Sequence, residues 1–196
     1  MHIRNPMLLS CLLPCCLALG ACKPGAQPAP AATPPAAVAI PPPATSAPPS
    51  AAATPATATQ PGLRVATLDG STFDLKQQRG KWTVVNFWAT WCGPCLKEMP
   101  ELSALDAMRE HIVVVGLAYE DTTADDMRAF LKERPVVYPI ALVDVYDPPQ
   151  DFDTPRGLPM TYLIAPDGTV AEKYTGPVTA QRIEADIAAA GGPKAG

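Results

Sequence analysis

Trp82-Thr83-Val84-Val85-Asn86-Phe87-Trp88-Ala89-Thr90-Trp91-Cys92-Gly93-Pro94-Cys95 is the stretch whose reading decides the fold. Its first seven residues are β-branched or aromatic apart from Asn86, a run suited to a strand buried on both faces. From Pro94 the apolar positions Leu96, Met99, Leu102, Leu105, Met108 and Ile112 recur at helical spacing. Pro100 inside that pattern predicts a kink. The two cysteines therefore follow a core strand and open a helix. At a helix start the first sulfur faces unpaired backbone N–H groups and the positive end of the helix dipole, which favours thiolate over thiol. Cys92 is then the nucleophile. Cys95, one turn in and more buried, keeps its proton longer and resolves a mixed disulfide by attacking Cys92. Pro94 costs no hydrogen bond there, because its missing N–H would be unpaired anyway, and it stiffens the turn between the sulfurs.

Working outward, Leu63 to Leu68, Asp69-Gly70 and Thr72 to Leu75 read as a strand, a turn and a short extended piece, an N-terminal hairpin. Ile112 to Ala118 is a second buried strand, Thr123 to Glu133 a helix, Val136 to Val143 extended despite Pro139, and Met160 to Ile164 a third core strand. Pro166-Asp167-Gly168 turns the chain into Thr169 to Tyr174. Thr179 to Ala190 closes the domain as a helix capped by Gly191-Gly192. A βαβ unit followed by a ββα unit results, in the α/β class.

This pattern does not fill the chain. Of 196 residues 25 are Pro, and 12 of these fall between Lys23 and Pro61 with 14 Ala and one charged residue. Such a stretch has almost nothing to bury. At ~3.1 Å per residue in polyproline II, its reach is at most about 120 Å, so it reads as a tether. Residues 62–196 form one domain, with 13 Lys and Arg against 19 Asp and Glu and no basic run. Nucleic acid and anionic membrane surfaces are disfavoured as partners.

Upstream, Arg4 and the apolar run Met7 to Ala18 read as an export signal, too short for the ~20 residues of a spanning helix. The run ends in Leu19-Gly20-Ala21-Cys22, which resembles the bacterial lipoprotein box, where the Cys is lipidated and becomes the new N-terminus. The expected division is a signal peptide at 1–21, a lipidated Cys22 with a Pro/Ala linker at 22–61, and the folded domain at 62–196. Processing there would discard Cys11, Cys15 and Cys16, leaving Cys92 and Cys95 as the available thiols.

Competing uses of the pair fare poorly. A structural zinc site needs four ligands, and a mature chain with two Cys and His111 at the far end of the helix lacks a usual set. Closing a loop of about four residues removes little chain entropy, so stability is a poor reason for a disulfide here. A copper chaperone would need a wider Cys spacing and a suitably placed His. No cofactor or metal is expected.

Asn86 to Cys95, followed by Glu98-Met99-Pro100, resembles the active-site strand and helix of the TlpA/ResA-like branch of the thioredoxin superfamily. Gly157-Leu158-Pro159-Met160-Thr161-Tyr162 is similar to that family's second signature, in which the Pro follows a cis bond and faces the disulfide. The resemblance spans about Gly62 to Ile187. It implies a thioredoxin-like fold, a central mixed sheet flanked by helices, with the hairpin as an N-terminal extension. It also implies membrane-tethered thiol-disulfide exchange outside the cytoplasm, often reduction of apocytochrome c, with electrons from a membrane thiol-disulfide protein. Cys92 and Cys95 are the redox disulfide. Trp91, Gly93, Pro94, Leu158 and Pro159 are expected to meet the substrate, Leu158 through main-chain pairing with an extended peptide. A disulfide-forming oxidant, a thiol peroxidase and a non-catalytic binding lipoprotein are the alternatives.

One departure from thioredoxin proper bears on the chemistry. Thioredoxin has a buried Asp where this chain has Asn86, and an amide cannot accept the proton of the second thiol. Glu120 falls where ResA-like proteins carry an acidic residue near the disulfide and is the candidate acid/base group. Glu98 reads as a structural or surface charge, Trp88 as core, Trp91 as a cover over the sulfurs, and His111 as a helix C-terminal residue without a role. The expected location is the periplasmic side of a bacterial membrane, anchored through Cys22.

Overall fold

The computed structural model describes residues 59–194. The expected signal peptide at 1–21, the expected lipidation site Cys22 and all but the end of the expected Pro/Ala linker lie outside the described residues. The core strand is β3, Trp82–Trp88, buried at every position, because Val, Thr and aromatic side chains fill both faces of a central strand. Its parallel neighbour is β4, Ile112–Tyr119, in the register Trp82↔Ile112 to Trp88↔Ala118. The crossover between them is α1, Gly93–Met108. A second crossover, α2 at Ala124–Glu133, leads to the edge strand β5, Ile140–Val143. On the other side β6, Met160–Ile164, runs antiparallel to β3, and β7, Val170–Thr175, antiparallel to β6. The order is β5-β4-β3-β6-β7, with α3 at Ala180–Ala189. The hairpin β1–β2, Arg64–Ala66 with Thr72–Asp74, is a separate two-stranded sheet. This is the α/β architecture with a mixed central sheet expected above.

Two layers of core divide along the alternation of β3. Trp82, Val84 and Trp88 face Met99, Leu102 and Leu105 of α1, Met127 of α2, and Ile183 and Ile187 of α3. Val85 and Phe87 face the opposite way, onto Phe73 of β2, Leu75 and Phe152. There Phe87, Phe152 and Tyr162 meet edge to face at 5.0–6.3 Å between ring centres, a favoured aromatic geometry. Phe152 thereby pins the segment between β5 and β6, whose last residues carry the second signature.

Two boundaries differ from expectation. The extended segment from Val136 shortens to Ile140–Val143, since Pro135 and Pro139 have no N–H to give a ladder. Pro139 contributes only its carbonyl, accepting from Gly116 N at 3.0 Å. His111 lies beyond the end of α1, in the turn before β4, where its carbonyl accepts from Trp82 N at 2.9 Å.

Candidate active site

Each of the three helices begins with a side chain that accepts a backbone N–H: Thr123 from Asp126, Thr179 from Arg182, and Cys92 from Cys95. A hydroxyl serves the first two ends; a sulfur takes that place in α1, with Cys95 N to Cys92 Sγ at 3.2 Å. Cys92 thus sits among the donors that stabilise a thiolate. The two cysteines form a disulfide. Cys95 is fully buried and Cys92 nearly so, while Trp91, Gly93 and Pro94 on the rim are exposed. Trp91, the residue before Cys92, presents a broad apolar ring to solvent at 70% exposure. Trp88 is core, at the end of β3.

The Leu158–Pro159 bond is cis. Pro159 is buried and its carbonyl accepts from Gly176 N at 2.9 Å, tying this corner to the segment between β7 and α3. Leu158 is partly buried and packs against both core layers. Pro159 alone separates it from the buried start of β6, the strand beside the one that leads to Cys92.

Two carboxylates approach this end of the sheet. Glu120, just past β4, takes both donors of Thr90: the backbone N to Oε1 at 2.7 Å and Oγ1 to Oε2 at 2.8 Å. It holds the loop that leads into Cys92. Of the two readings of Glu98, a structural or a surface charge, burial removes the second. It is 4% exposed and points from α1 into the sheet. Oε1 accepts from Asn86 Nδ2 at 2.8 Å and Oε2 from Val178 N at 3.0 Å. Burial raises its pKa to about 7, against the lowering effect of those hydrogen bonds, with the nearby Glu101 charge adding to the rise. The signal was in the spacing: Glu98 is three residues after Cys95 and four before Leu102, on the stripe α1 buries.

Residues 28–190 match the Redoxin family. The chain belongs to the Redoxin family. This Redoxin-family chain is 34% identical over 131 residues to the thiol-disulfide oxidoreductase ResA of a Bacillus cereus strain, covering 63% of this chain and 72% of that one. It is 30% identical over 127 residues to the thioredoxin-like protein YneN of Bacillus subtilis (strain 168), covering 63% and 74%. Among solved structures, a thiol:disulfide interchange protein of Chlorobium tepidum TLS superposes with a TM-score of 0.58 at 23% identity, covering 69% of this chain and 97% of that one. The fold is thioredoxin-like, and the chain is an enzyme, a ResA-like thiol-disulfide oxidoreductase whose redox pair is Cys92 and Cys95.

Proposed function

We propose that this oxidoreductase reduces disulfides in exported proteins, apocytochrome c among them, while tethered through a lipidated Cys22 on the periplasmic side of a bacterial membrane. Residues 1–21 would be its signal peptide and 22–61 its tether, and a membrane thiol-disulfide protein would return electrons to the pair. The observation that carries the catalytic reading is the Cys92–Cys95 disulfide at the start of α1, one turn from a buried carboxylate. The Leu19-Gly20-Ala21-Cys22 box and the Pro/Ala composition support the tether.

In the reaction the Cys92 thiolate attacks one substrate sulfur, the substrate S–S bond breaks, and the released thiolate takes a proton from solvent. Cys95 then gives its proton to the Glu98 carboxylate and attacks Cys92 Sγ, forming the protein disulfide as the second substrate thiolate leaves. Two electrons have passed to the substrate, and the protein is oxidised by the same two. Glu98 suits the proton step because a base with pKa near neutrality is matched to the operating pH. Glu120, engaged with Thr90, has the positioning role. Trp91, Gly93 and Pro94 offer the substrate an exposed rim, and Leu158 with Pro159 a main-chain edge for an extended peptide.

Insulin reduction with and without Cys92 tests the activity: loss in Cys92→Ser is expected, and unchanged reduction rejects the mechanism. Alkylation trapping of the pair in cells tests the direction. A mostly reduced pair is expected; a mostly oxidised one would make the protein a disulfide-forming oxidant.

A further inference from the structure

Asn86 is fully buried on the α1 side of β3, and only one end of its amide is engaged. Nδ2 donates to Glu98 Oε1 at 2.8 Å and to Thr161 Oγ1 at 2.9 Å. Oδ1 has no partner. While Glu98 is ionised the amide cannot turn over to relieve this, because Oδ1 would then face the carboxylate, acceptor against acceptor. A buried acceptor without a donor is costly, so with Glu98 ionised the arrangement is incomplete as long as the disulfide stands.

Reduction creates a donor in the same layer. Cys95 lies one turn before Glu98, and residues three apart on a helix are neighbours, about 5–6 Å apart at Cβ. It is fully buried. Within the disulfide its sulfur carries no hydrogen; within the dithiol it carries an S–H closed off from solvent. We propose that in the reduced protein Cys95 S–H donates to Asn86 Oδ1, so that Asn86 is a positioning residue whose hydrogen bonding is complete only in the dithiol state. Asn86 thus holds Cys95 as the neutral thiol beside Glu98, leaving the N-cap sulfur of Cys92 to be the thiolate, and it shifts the redox equilibrium toward the dithiol. This rests on the pair cycling between disulfide and dithiol, as in the function proposed above.

The S–H infrared stretch of Cys95 reads this bond directly. It is isolated as the difference between the Cys92→Ser protein and the Cys92→Ser/Cys95→Ser protein, each the full chain. The band is expected at lower frequency than that of an unbonded thiol, and to return toward the unbonded value when Asn86→Ala is added. In the protein with both cysteines, Asn86→Ala is expected to move the equilibrium with glutathione about threefold to tenfold toward the disulfide, tenfold being about 30 mV. The same shift is expected in a Glu98→Ala background, where an effect passed through Glu98 would vanish. An unshifted Cys95 band in the Cys92→Ser protein overturns the inference even if Asn86→Ala does not fold. So does an equilibrium shift that disappears with Glu98. A disulfide that dithiothreitol cannot reduce would instead defeat the oxidoreductase reading, while the Cys95 band would still report on Asn86.

Discussion

The acid/base role expected of Glu120 falls to Glu98 in the proposed mechanism, and substitution of each tests the exchange. Glu98→Gln is expected to leave Cys92 alkylation near normal and to slow resolution of a Cys92 mixed disulfide about tenfold or more, within or below the ~10² to 10⁴ for acid/base groups. In the wild type that resolution should quicken as pH rises through about 7, where the carboxylate forms; in Glu98→Gln the dependence should flatten. Glu120→Gln loses one of its charged acceptors for Thr90 and is expected to destabilise the fold by about 1–3 kcal/mol with a smaller effect on resolution. Asp121→Asn is the control for both. Quench-flow trapping of the mixed disulfide at several pH values measures the difference, and equal rates in Glu98→Gln and wild type would leave water as the proton acceptor. Stability follows the same group. Between pH 4.5 and about 7 the folded state holds a proton on Glu98 that the unfolded state has lost, so stability is full below that window and falls as pH rises through it, by up to about 3 kcal/mol. Denaturant titrations should show the wild type losing more stability than Glu98→Gln across that range.

At the scale of elements, the capping of α1 by a sulfur sets the order of thiol reactivity. After reduction Cys92 should be labelled by iodoacetamide before Cys95, since only Cys92 lies at the N-cap; mass spectrometry of early time points checks this, and preferential labelling of Cys95 would reverse their roles. The sheet beneath depends on Gly116 of β4, opposite Asn86. A Cβ there would lie 2.5 Å from Ile140 Cδ1 and 3.0 Å from both Trp88 Nε1 and Tyr138 Cε2. Ile140 and Tyr138 are themselves buried, leaving little room to move. Gly116→Ala is expected to cost about 1–3 kcal/mol, the usual range for overpacking, visible as a lower urea midpoint with an unchanged slope.

For the whole molecule, the proposed tether and the domain are expected to contribute separably. Cys22→Ala is expected to move the protein from the membrane to the soluble fraction while insulin reduction by the purified protein stays unchanged, because the disulfide, Glu98 and Pro159 all belong to the domain that follows the linker. Fractionation followed by the insulin assay tests both halves. A wild-type protein that is soluble and begins at a residue other than Cys22 would remove the anchor from the proposal.

The sequence by itself determined most of the architecture and the identity of the redox pair. β3, α1, β4 and β6 are long, strongly patterned segments, and hydrophobic periodicity reports such elements well because burial on one or both faces dictates residue type. The cysteines were legible for a local reason, since their chemistry depends on a helix start that adjoining residues specify. What lay beyond the sequence was which carboxylate enters the core. Glu98 sits on the buried stripe of α1, but a charged residue there is acceptable only if distant groups meet it. Asn86 is 12 positions away and the Val178 N–H 80, and only the packing of α1 between β3 and the start of α3 brings them to its two oxygens. Burial, and the rise in pKa that follows from it, belong to that tertiary meeting and to no segment alone.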